Sequence, residues 1–153
     1  MSTEKRADEV SNRLGYLLKH VHLRFAELTA ASLAPHGVGG RELAVLRVLA
    51  THEPTSQQEA ARRLGIDRTT MVALIDALAR KCLVARRPDR DDRRRNVIEL
   101  TLAGHKALEH GTRASDEAAR QFLAPLSAQD AHQFRRSLSA LALHEPGPDL
   151  RPP

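Results

Sequence analysis

The sequence predicts a mainly α-helical fold, a winged helix-turn-helix with a small β-hairpin wing between long N- and C-terminal helices. Three observations lead to this prediction. Two short helices are expected on either side of Gly65, two short strands follow them, and an apolar stripe of helical period runs through the N-terminal segment. At 153 residues, of which 41% are hydrophobic, the chain is long enough for one domain with its own core.

The N-terminal segment predicts a long helix from Asp8 to about Leu33, ended by Pro35 and Gly37. The apolar residues of this helix recur in steps of four and three, and they are Leu14, Leu18, Val21, Phe25 and Leu28. A stripe of this kind needs a partner helix. The residues leave two possibilities open: a helix from a second copy of the chain, or packing against the core of the same chain.

Residues 41–80 predict the helix-turn-helix itself. A helix from Arg41 to about Ala50 comes first, and its inward residues are Leu43, Leu46 and Leu49. Ser56 and Glu59 have the spacing of a capping box, so the next helix begins there and ends before Gly65. Asp67 caps a further helix that runs to about Arg80. The buried face of that helix is predicted to be Met71, Leu74, Ile75 and Leu78.

The stretch RRPDRDDRRRN, residues 86–96, places six arginines between two predicted strands. The strands are LVARR and NVIELT, and in the second of them Ile98 and Leu100 alternate with Val97 and Glu99 to give one apolar face. Pro88 is a turn former, so the arginine run is the loop of a β-hairpin that directly follows a helix-turn-helix. That arrangement is a winged helix.

Two further helices complete the predicted chain. Thr101 caps a helix from Leu102 to about Leu123, and Pro125 separates it from a last helix starting at Ser127. The residues of the last helix expected to point inward are Phe134, Leu138 and Leu141. We therefore divide the single domain into terminal helices at 8–34 and 102–144, a winged helix-turn-helix lobe at 39–101 and a flexible tail at 145–153.

The charge of the chain indicates a polyanionic partner. The formal net charge is +5 at pH 7, and the arginine run concentrates the excess in one place. Single-stranded nucleic acids are bound by stacking bases on aromatic rings, and this chain has 3% aromatic residues and no tryptophan. Double-stranded DNA is therefore the expected partner.

Other classes of protein are disfavoured by the sequence. The chain lacks a run of ~18 apolar residues and its polar N-terminus is not a signal peptide, so we expect a cytoplasmic protein with no membrane partner. Cys82 is the only cysteine, and such a residue is more often a small buried hydrophobe than a sensor. Neither His20–His22 nor His105–His110 has the spacing of a helical metal site, so no metal or cofactor is expected. The sequence also lacks a nucleophile–base pair or a phosphate-cradling glycine loop, which disfavours an enzyme.

Two segments, SQQEAARRLGIDRTTMVALIDALARKCLV and DRRRNVIELTLAGHKAL, carry a resemblance to the MarR family of bacterial transcriptional regulators. In the second, Asp92-Arg93-Arg94 precedes Leu100-Thr101 and Gly104 at the family's spacing. The resemblance implies a homodimer joined by the first and last two helices, a pseudo-palindromic DNA operator, and a small ligand or oxidant that weakens DNA binding. The expected dimer-interface residues are Leu14, Leu18, Val21, Phe134, Leu138 and Leu141.

In a helix-turn-helix the recognition helix reads bases while a neighbouring helix N-terminus holds phosphates. The residues expected to contact DNA from these two helices are Ser56, Gln57, Arg68, Thr69, Thr70, Val72, Ala73 and Asp76. Many family members carry Thr-Arg where this chain has Val72-Ala73, whose apolar side chains suit thymine methyl groups. By resemblance, Arg94 inserts into the minor groove and Asp92 orients it, with Arg90 near the tip and Arg86 on the strand leading in.

Two features leave alternatives open. The wing could be a solvated loop whose own aspartates neutralise its arginines. Family members commonly have glycine at the position of Cys82, where a cysteine with positive φ would cost about 1 kcal/mol. Either the helix ends differently here or the thiol has a use, and a redox-responsive regulator using Cys82 is the corresponding alternative. We expect no redox sensing, because that branch of the family carries its reactive cysteine near the start of the first helix.

Ligand pockets in this family lie between the dimerisation helices and the DNA-binding lobe, where an anionic aromatic ligand needs a cation and an apolar wall. The candidate lining residues are Tyr16, His20, Arg24 and Arg47. For each of them another role is the stronger expectation, with Arg24 and Arg47 as surface or interhelix pairing groups and His20 as a polar interface residue. The predicted function is a sequence-specific DNA-binding regulator, a repressor released from its operator by such a ligand. The alternative is an architectural DNA-binding protein without a specific signal.

Overall fold

The computed structural model describes residues 13–51, 55–94 and 96–144. Its helices are α1 (Leu14–Leu33), α2 (Gly40–Thr51), α3 (Gln57–Leu64), α4 (Arg68–Arg80), α5 (Leu102–Leu123) and α6 (Ala128–Ala142), with a 3-10 turn at Ala34–His36. Its strands are β1 (Thr55–Ser56), β2 (Val84–Pro88) and β3 (Asn96–Leu100). The predicted fold class, mainly helical with a small antiparallel sheet, is confirmed. The predicted helix start at Asp8 and the predicted tail at 145–153 lie outside the described residues.

Hydrogen bonds to local side chains explain where these helices begin. The Ser56 hydroxyl accepts from the backbone N–H of Glu59 at 3.2 Å, and Thr101 accepts from the N–H of Gly104 at 3.0 Å. Ser127 caps α6 in the same way. These caps satisfy backbone donors that the first helical turn leaves without partners. Gly65, with φ of 62°, ends α3 in the left-handed conformation that the sequence predicted for it.

The sheet has the strand order β1-β3-β2, with both pairings antiparallel. The strand β1 was not foreseen, because two residues are too few to show an alternating pattern. Val97 is buried as fully as Ile98, so the expected single apolar face of β3 is wrong at that position. Strand β3 is the central strand, and Val97 lies opposite both Ser56 of β1 and Arg87 of β2.

The core lies inside the lobe formed by α2, α3, α4 and the sheet. Its largest fully buried side chains include Leu43, Leu46 and Leu49 of α2 and Met71, Ile75 and Leu78 of α4, as predicted. Leu74 is only partly buried. Helix α5 packs closely on this lobe at Gly111. The contact leaves no room for a side chain there, since an added Cβ atom would lie 2.8 Å from a methyl carbon of Leu43. The long helix and the lobe therefore form one packed body.

Much of the apolar surface of α1 and α6 has no cover within the chain. Leu33 is the only buried residue of α1, whereas Leu14 is 72% exposed and Leu18 is 51% exposed. The prediction that Leu138 and Leu141 point inward is wrong for the single chain, since they are 40% and 74% exposed. Phe134 is partly buried and Val21 is 38% exposed. None of the described helices is long and apolar enough to cross a bilayer.

Candidate nucleic-acid interface

A cleft of about 640 Å³ opens between the start of α3, the first turn of α4 and the base of the β2–β3 wing. Its lining residues are Ser56, Gln57, Gln58, Ala61, Arg68, Met71, Arg86, Arg94, Asn96 and Ile98. Half of these were predicted to contact DNA, from three separate segments of the sequence. Gln58 and Asn96 were not predicted from the sequence. Gln58 could have been inferred from its place in the first turn after the Ser56 cap, and Asn96 from its pairing with Pro88 in the hairpin.

The first turn of α4 is fixed by Asp67. Its carboxylate accepts from the backbone N–H of Thr70 at 2.8 Å and from the Thr70 hydroxyl at 2.6 Å. These hydrogen bonds, the side-chain one foremost, hold the pKa of Asp67 below its ordinary value. The Thr70 hydroxyl, which was expected to face DNA, is therefore engaged in capping. Arg68, Thr69 and Ala73 are exposed beside it, and Val72 is partly exposed.

Helix α3 carries two arginines that share one carboxylate. Glu59 accepts from Arg62 at 2.7 and 2.9 Å and from Arg63 at 2.7 Å. Hydrogen bonds from Arg62 and then from Arg63 lower the pKa of Glu59 to about 2. Both guanidinium groups are thus held on one side of α3.

Helix α4, the predicted recognition helix, is joined to the wing by an ion pair between Asp76 and Arg86. Both residues were predicted to contact DNA, and the structure shows that they also contact each other. On the same strand Arg87 lies 3.1 Å from Glu99 of β3. These two arginines at the base of the wing are therefore partly neutralised, and they attach the wing to the lobe.

The tip of the wing is arranged differently. Asp89 accepts from the backbone N–H of Asp91 at 2.9 Å, and Asp92 accepts from the backbone N–H of Arg94 at 3.0 Å. Asp92 thus holds the backbone of Arg94, whereas the resemblance implied a contact that orients its guanidinium. Within the described residues the exposed arginines of the tip, which are Arg90, Arg93 and Arg94, form no ion pair. Asp89 and Asp92 therefore bind the backbone of the loop and form no ion pair with these arginines. Arg95 lies outside the described residues.

The four candidate ligand-binding residues lie on two helices, α1 and α2. Tyr16 and His20 are neighbours on α1, with ring centroids 4.1 Å apart. Arg24 and Arg47 are exposed on α1 and α2. A different groove of about 300 Å³, which the sequence reasoning missed, lies between α1, α5 and α6. Its apolar lining includes Leu18, Val21, Phe25, Phe122, Phe134 and Leu138.

Cys82 ends the recognition helix with φ of 57°, the left-handed conformation expected of the glycine found there in the family. The side chain is exposed, so the expectation of a buried small hydrophobe is wrong. The backbone is held in place because the Thr101 hydroxyl donates to the carbonyl of Cys82 at 2.7 Å.

Within the described residues, no three His, Cys, Asp or Glu side chains lie together as metal ligands would.

Comparisons with known proteins agree on one family. The sequence model of the MarR family matches residues 36–95. A probable transcriptional regulator from Pseudomonas aeruginosa has a similar structure, with 32% identity, a TM-score of 0.78 and coverage of 86% of this chain and 98% of its own. The repressor CouR of Rhodococcus jostii RHA1, solved with a 23-mer DNA duplex, is 30% identical with a TM-score of 0.77, covering 89% of this chain and 96% of CouR.

Curated relatives give the same result at lower coverage. The repressor NicR of Pseudomonas putida is 27% identical over 101 residues, which are 66% of this chain and 64% of NicR. The matched segment is thus slightly less than two thirds of that relative's length. These relatives are described as transcriptional regulators rather than enzymes. The chain belongs to the MarR family of winged helix-turn-helix transcriptional regulators.

Proposed function

We propose that this chain is a homodimeric, sequence-specific DNA-binding regulator that represses its target promoter and is released by a small effector. The observation that carries the proposal is the cleft beside α4. It joins three kinds of group that duplex DNA requires: a helix N-terminus at Ser56, a cation on the first turn of the recognition helix at Arg68, and wing arginines including Arg94. Two solved relatives, CouR and the Mycobacterium tuberculosis protein Rv2887, are complexes with DNA.

The DNA contact proposed for each residue follows from the exposure of its side chain. Helix α4 enters the major groove, where Arg68 and Thr69 offer hydrogen bonds and Val72 and Ala73 offer apolar contacts to thymine methyl groups. The exposed tip arginines lie in the adjacent minor groove, where A·T-rich sequence gives the most negative potential. Asp76 and Arg86 keep the wing at a fixed angle to α4 through their ion pair.

The homodimer is proposed from the uncovered apolar residues of the terminal helices. Leu14, Leu18 and Leu141 are all at least half exposed in the single chain. Large apolar side chains exposed together on the terminal helices are costly in water and often mark an interface. A second copy would cover it, with residues 8–34 and 102–144 as the dimerisation region and residues 39–101 as the DNA-binding lobe.

Repression and release are proposed from the relatives. NicR and CouR are described as repressors, and a second CouR structure, 26% identical to this chain, is a complex with p-coumaroyl-CoA. An anionic aromatic acid or its thioester is the class of effector to test first. A thermal shift with a panel of such acids should reveal a stabiliser, and the same compound should then displace labelled operator DNA.

Selection of bound duplexes from a random library, at near-physiological salt, tests the central proposal. A two-fold motif with half-sites about one helical turn, ~10 bp, apart is expected. Retention of DNA without a motif would contradict sequence-specific regulation and favour an architectural role. Absence of binding would contradict the assignment of the cleft to DNA.

A further inference from the structure

Lys81 lies at the C-terminal end of α4, the proposed recognition helix. Its ammonium forms hydrogen bonds with residues that lie far away in the sequence. Its ammonium donates to both carboxylate oxygens of Glu42 and to the carbonyl oxygen of Gly37, each at 2.8 Å. An ammonium has three N–H donors, and here it faces three acceptor oxygens within hydrogen-bond distance. Glu42 also accepts from the backbone N–H of Gly39 at 2.8 Å, and it is a buried charged residue with 9% exposure.

The partners of Lys81 lie in the segment where the proposed dimerisation region meets the DNA-binding lobe. This segment, which we call the elbow, consists of residues 34–42. It includes the connection after α1, residues 34–39, and the first residues of α2, 40–42. Gly37 bends it with φ of 68°. On its other side the elbow packs on α5 near Gly111. A Cβ atom added to Gly111 would lie 3.5 Å from a methyl carbon of Val38, which is van der Waals contact. The elbow is therefore held between a long terminal helix and the end of the recognition helix.

The end of the recognition helix has a second attachment. The carbonyl oxygen of Cys82 accepts from the Thr101 hydroxyl at 2.7 Å, which joins it to the start of α5. Helix α4 is anchored in the core by Met71, Ile75 and Leu78. Polar attachments made in two different directions then fix its C-terminal end against the start of α2 and the start of α5. Lys81 supplies the first of these, across 39 residues of sequence to Glu42 and 44 to Gly37.

We propose that Lys81 and Glu42 are positioning residues for DNA recognition, which set the orientation of each recognition helix relative to the dimerisation helices. The inference rests on the proposed function, because orientation matters only if two recognition helices read two half-sites. Half-site spacing is then a geometric property of the dimer. The Lys81–Glu42 pair determines how strictly that spacing is enforced, without touching DNA.

A direct phosphate contact is the competing role for any lysine near DNA. The geometry argues against it, since Lys81 follows the last turn of α4, and its ammonium is directed at a buried carboxylate. The two roles also differ in salt dependence. Each phosphate contact contributes about 0.9 to the slope of log affinity against log salt, so a homodimer that loses one contact from each chain would lose about 1.8. Removing a positioning contact leaves the slope unchanged.

The experiment compares the wild-type chain with Lys81→Met and Glu42→Gln, and with Lys106→Met as a control that removes an exposed lysine of α5. The probes are the selected duplex and versions with one base pair added or removed between the half-sites. Each titration is repeated at several salt concentrations, and thermal unfolding verifies that each variant is folded. Glu42→Gln preserves the size of the side chain, so it provides the result if Lys81→Met does not fold.

For the wild type, we expect weaker binding to both altered spacings. Lys81→Met should bind the selected duplex about 3- to 30-fold more weakly, with an unchanged salt slope and a reduced preference among spacings. Glu42→Gln should act in the same direction, and Lys106→Met should keep the wild-type preference. A wild-type spacing preference in a folded Lys81 or Glu42 variant would overturn the inference, as would a lower salt slope for Lys81→Met. Failure of the wild type to select any motif would instead overturn the proposed function and this inference with it.

Discussion

The proposed role of the wing can be tested by replacing Arg94 with alanine. In the described structure the contact of Arg94 with Asp92 is made by its backbone N–H, which alanine retains. The side chain is exposed and forms no ion pair among the described residues. Exposed substitutions without such contacts change stability by about 0.5 kcal/mol or less. The free energy of unfolding of Arg94→Ala should therefore stay near that of the wild type.

The effect on DNA binding should be much larger. Loss of one arginine contact to DNA costs about 1–3 kcal/mol, and a symmetric dimer loses two such contacts. The lower limit, about 2 kcal/mol for the dimer, corresponds to a roughly 30-fold weaker complex. Fluorescence anisotropy with the selected duplex, between about 50 and 200 mM salt, gives both the affinity and its salt dependence.

A matched control is available on α5, where Arg113 is exposed and pairs with Glu109 away from the cleft. Arg113→Ala removes the same charge, and loss of an exposed ion pair costs about 0–1 kcal/mol of stability. We expect DNA affinity close to that of the wild type. Equal affinities for wild-type, Arg94→Ala and Arg113→Ala proteins would refute the assignment of the wing. Equal losses for both variants would show that only net charge matters.

Four further predictions concern the fold and the assembly. Leu18→Glu should give a monomer by size exclusion with light scattering, and a persistent dimer would contradict the interface proposed for α1. Gly104→Ala should destabilise the chain by about 1–3 kcal/mol in urea, because the new Cβ would lie 2.0 Å from the carbonyl oxygen of Leu83. Cys82→Gly should raise stability by up to about 1 kcal/mol by relieving a positive φ, whereas Cys82→Ala should not; equal effects would contradict this. The stability that Glu59 contributes is present above its ordinary pKa of 4.5 and lost as the pH falls toward about 2. The difference in urea stability between the wild type and Glu59→Gln should therefore shrink below pH 4.5, and a constant difference would argue against it.

The pairing of Asp76 with Arg86 changes how the recognition surface is understood. In the sequence both residues belong to faces expected to meet DNA, and nothing in their separation of ten positions indicates that they meet each other. The ion pair leaves the exposed tip arginines as the wing's unpaired cations among the described residues. The architectural alternative and the specific regulator therefore share this wing, and they differ in whether α4 selects a sequence.

Local chemistry determined where α3, α4, α5 and α6 begin, and the sequence was sufficient to predict these four starts. Ser56, Asp67, Thr101 and Ser127 each accept a hydrogen bond from the N–H three residues ahead, so each cap depends on four consecutive residues. The end of α3 at Gly65 is local in the same sense. The helix-turn-helix and the hairpin that follows it could be read from the sequence for this reason.

Tertiary structure alone decided which polar groups are free for a partner. The Lys81–Glu42 pair, the Asp76–Arg86 pair and the exposure of Cys82 depend on how α2, α4 and β2 pack together. So does the strand β1, which exists only because β3 lies beside it. These contacts join residues brought together by burial of the core, and sequence spacing carries no information about them. The sequence shows where the wing arginines are. Among the described residues, only the fold shows that Arg86 and Arg87 form ion pairs with carboxylates.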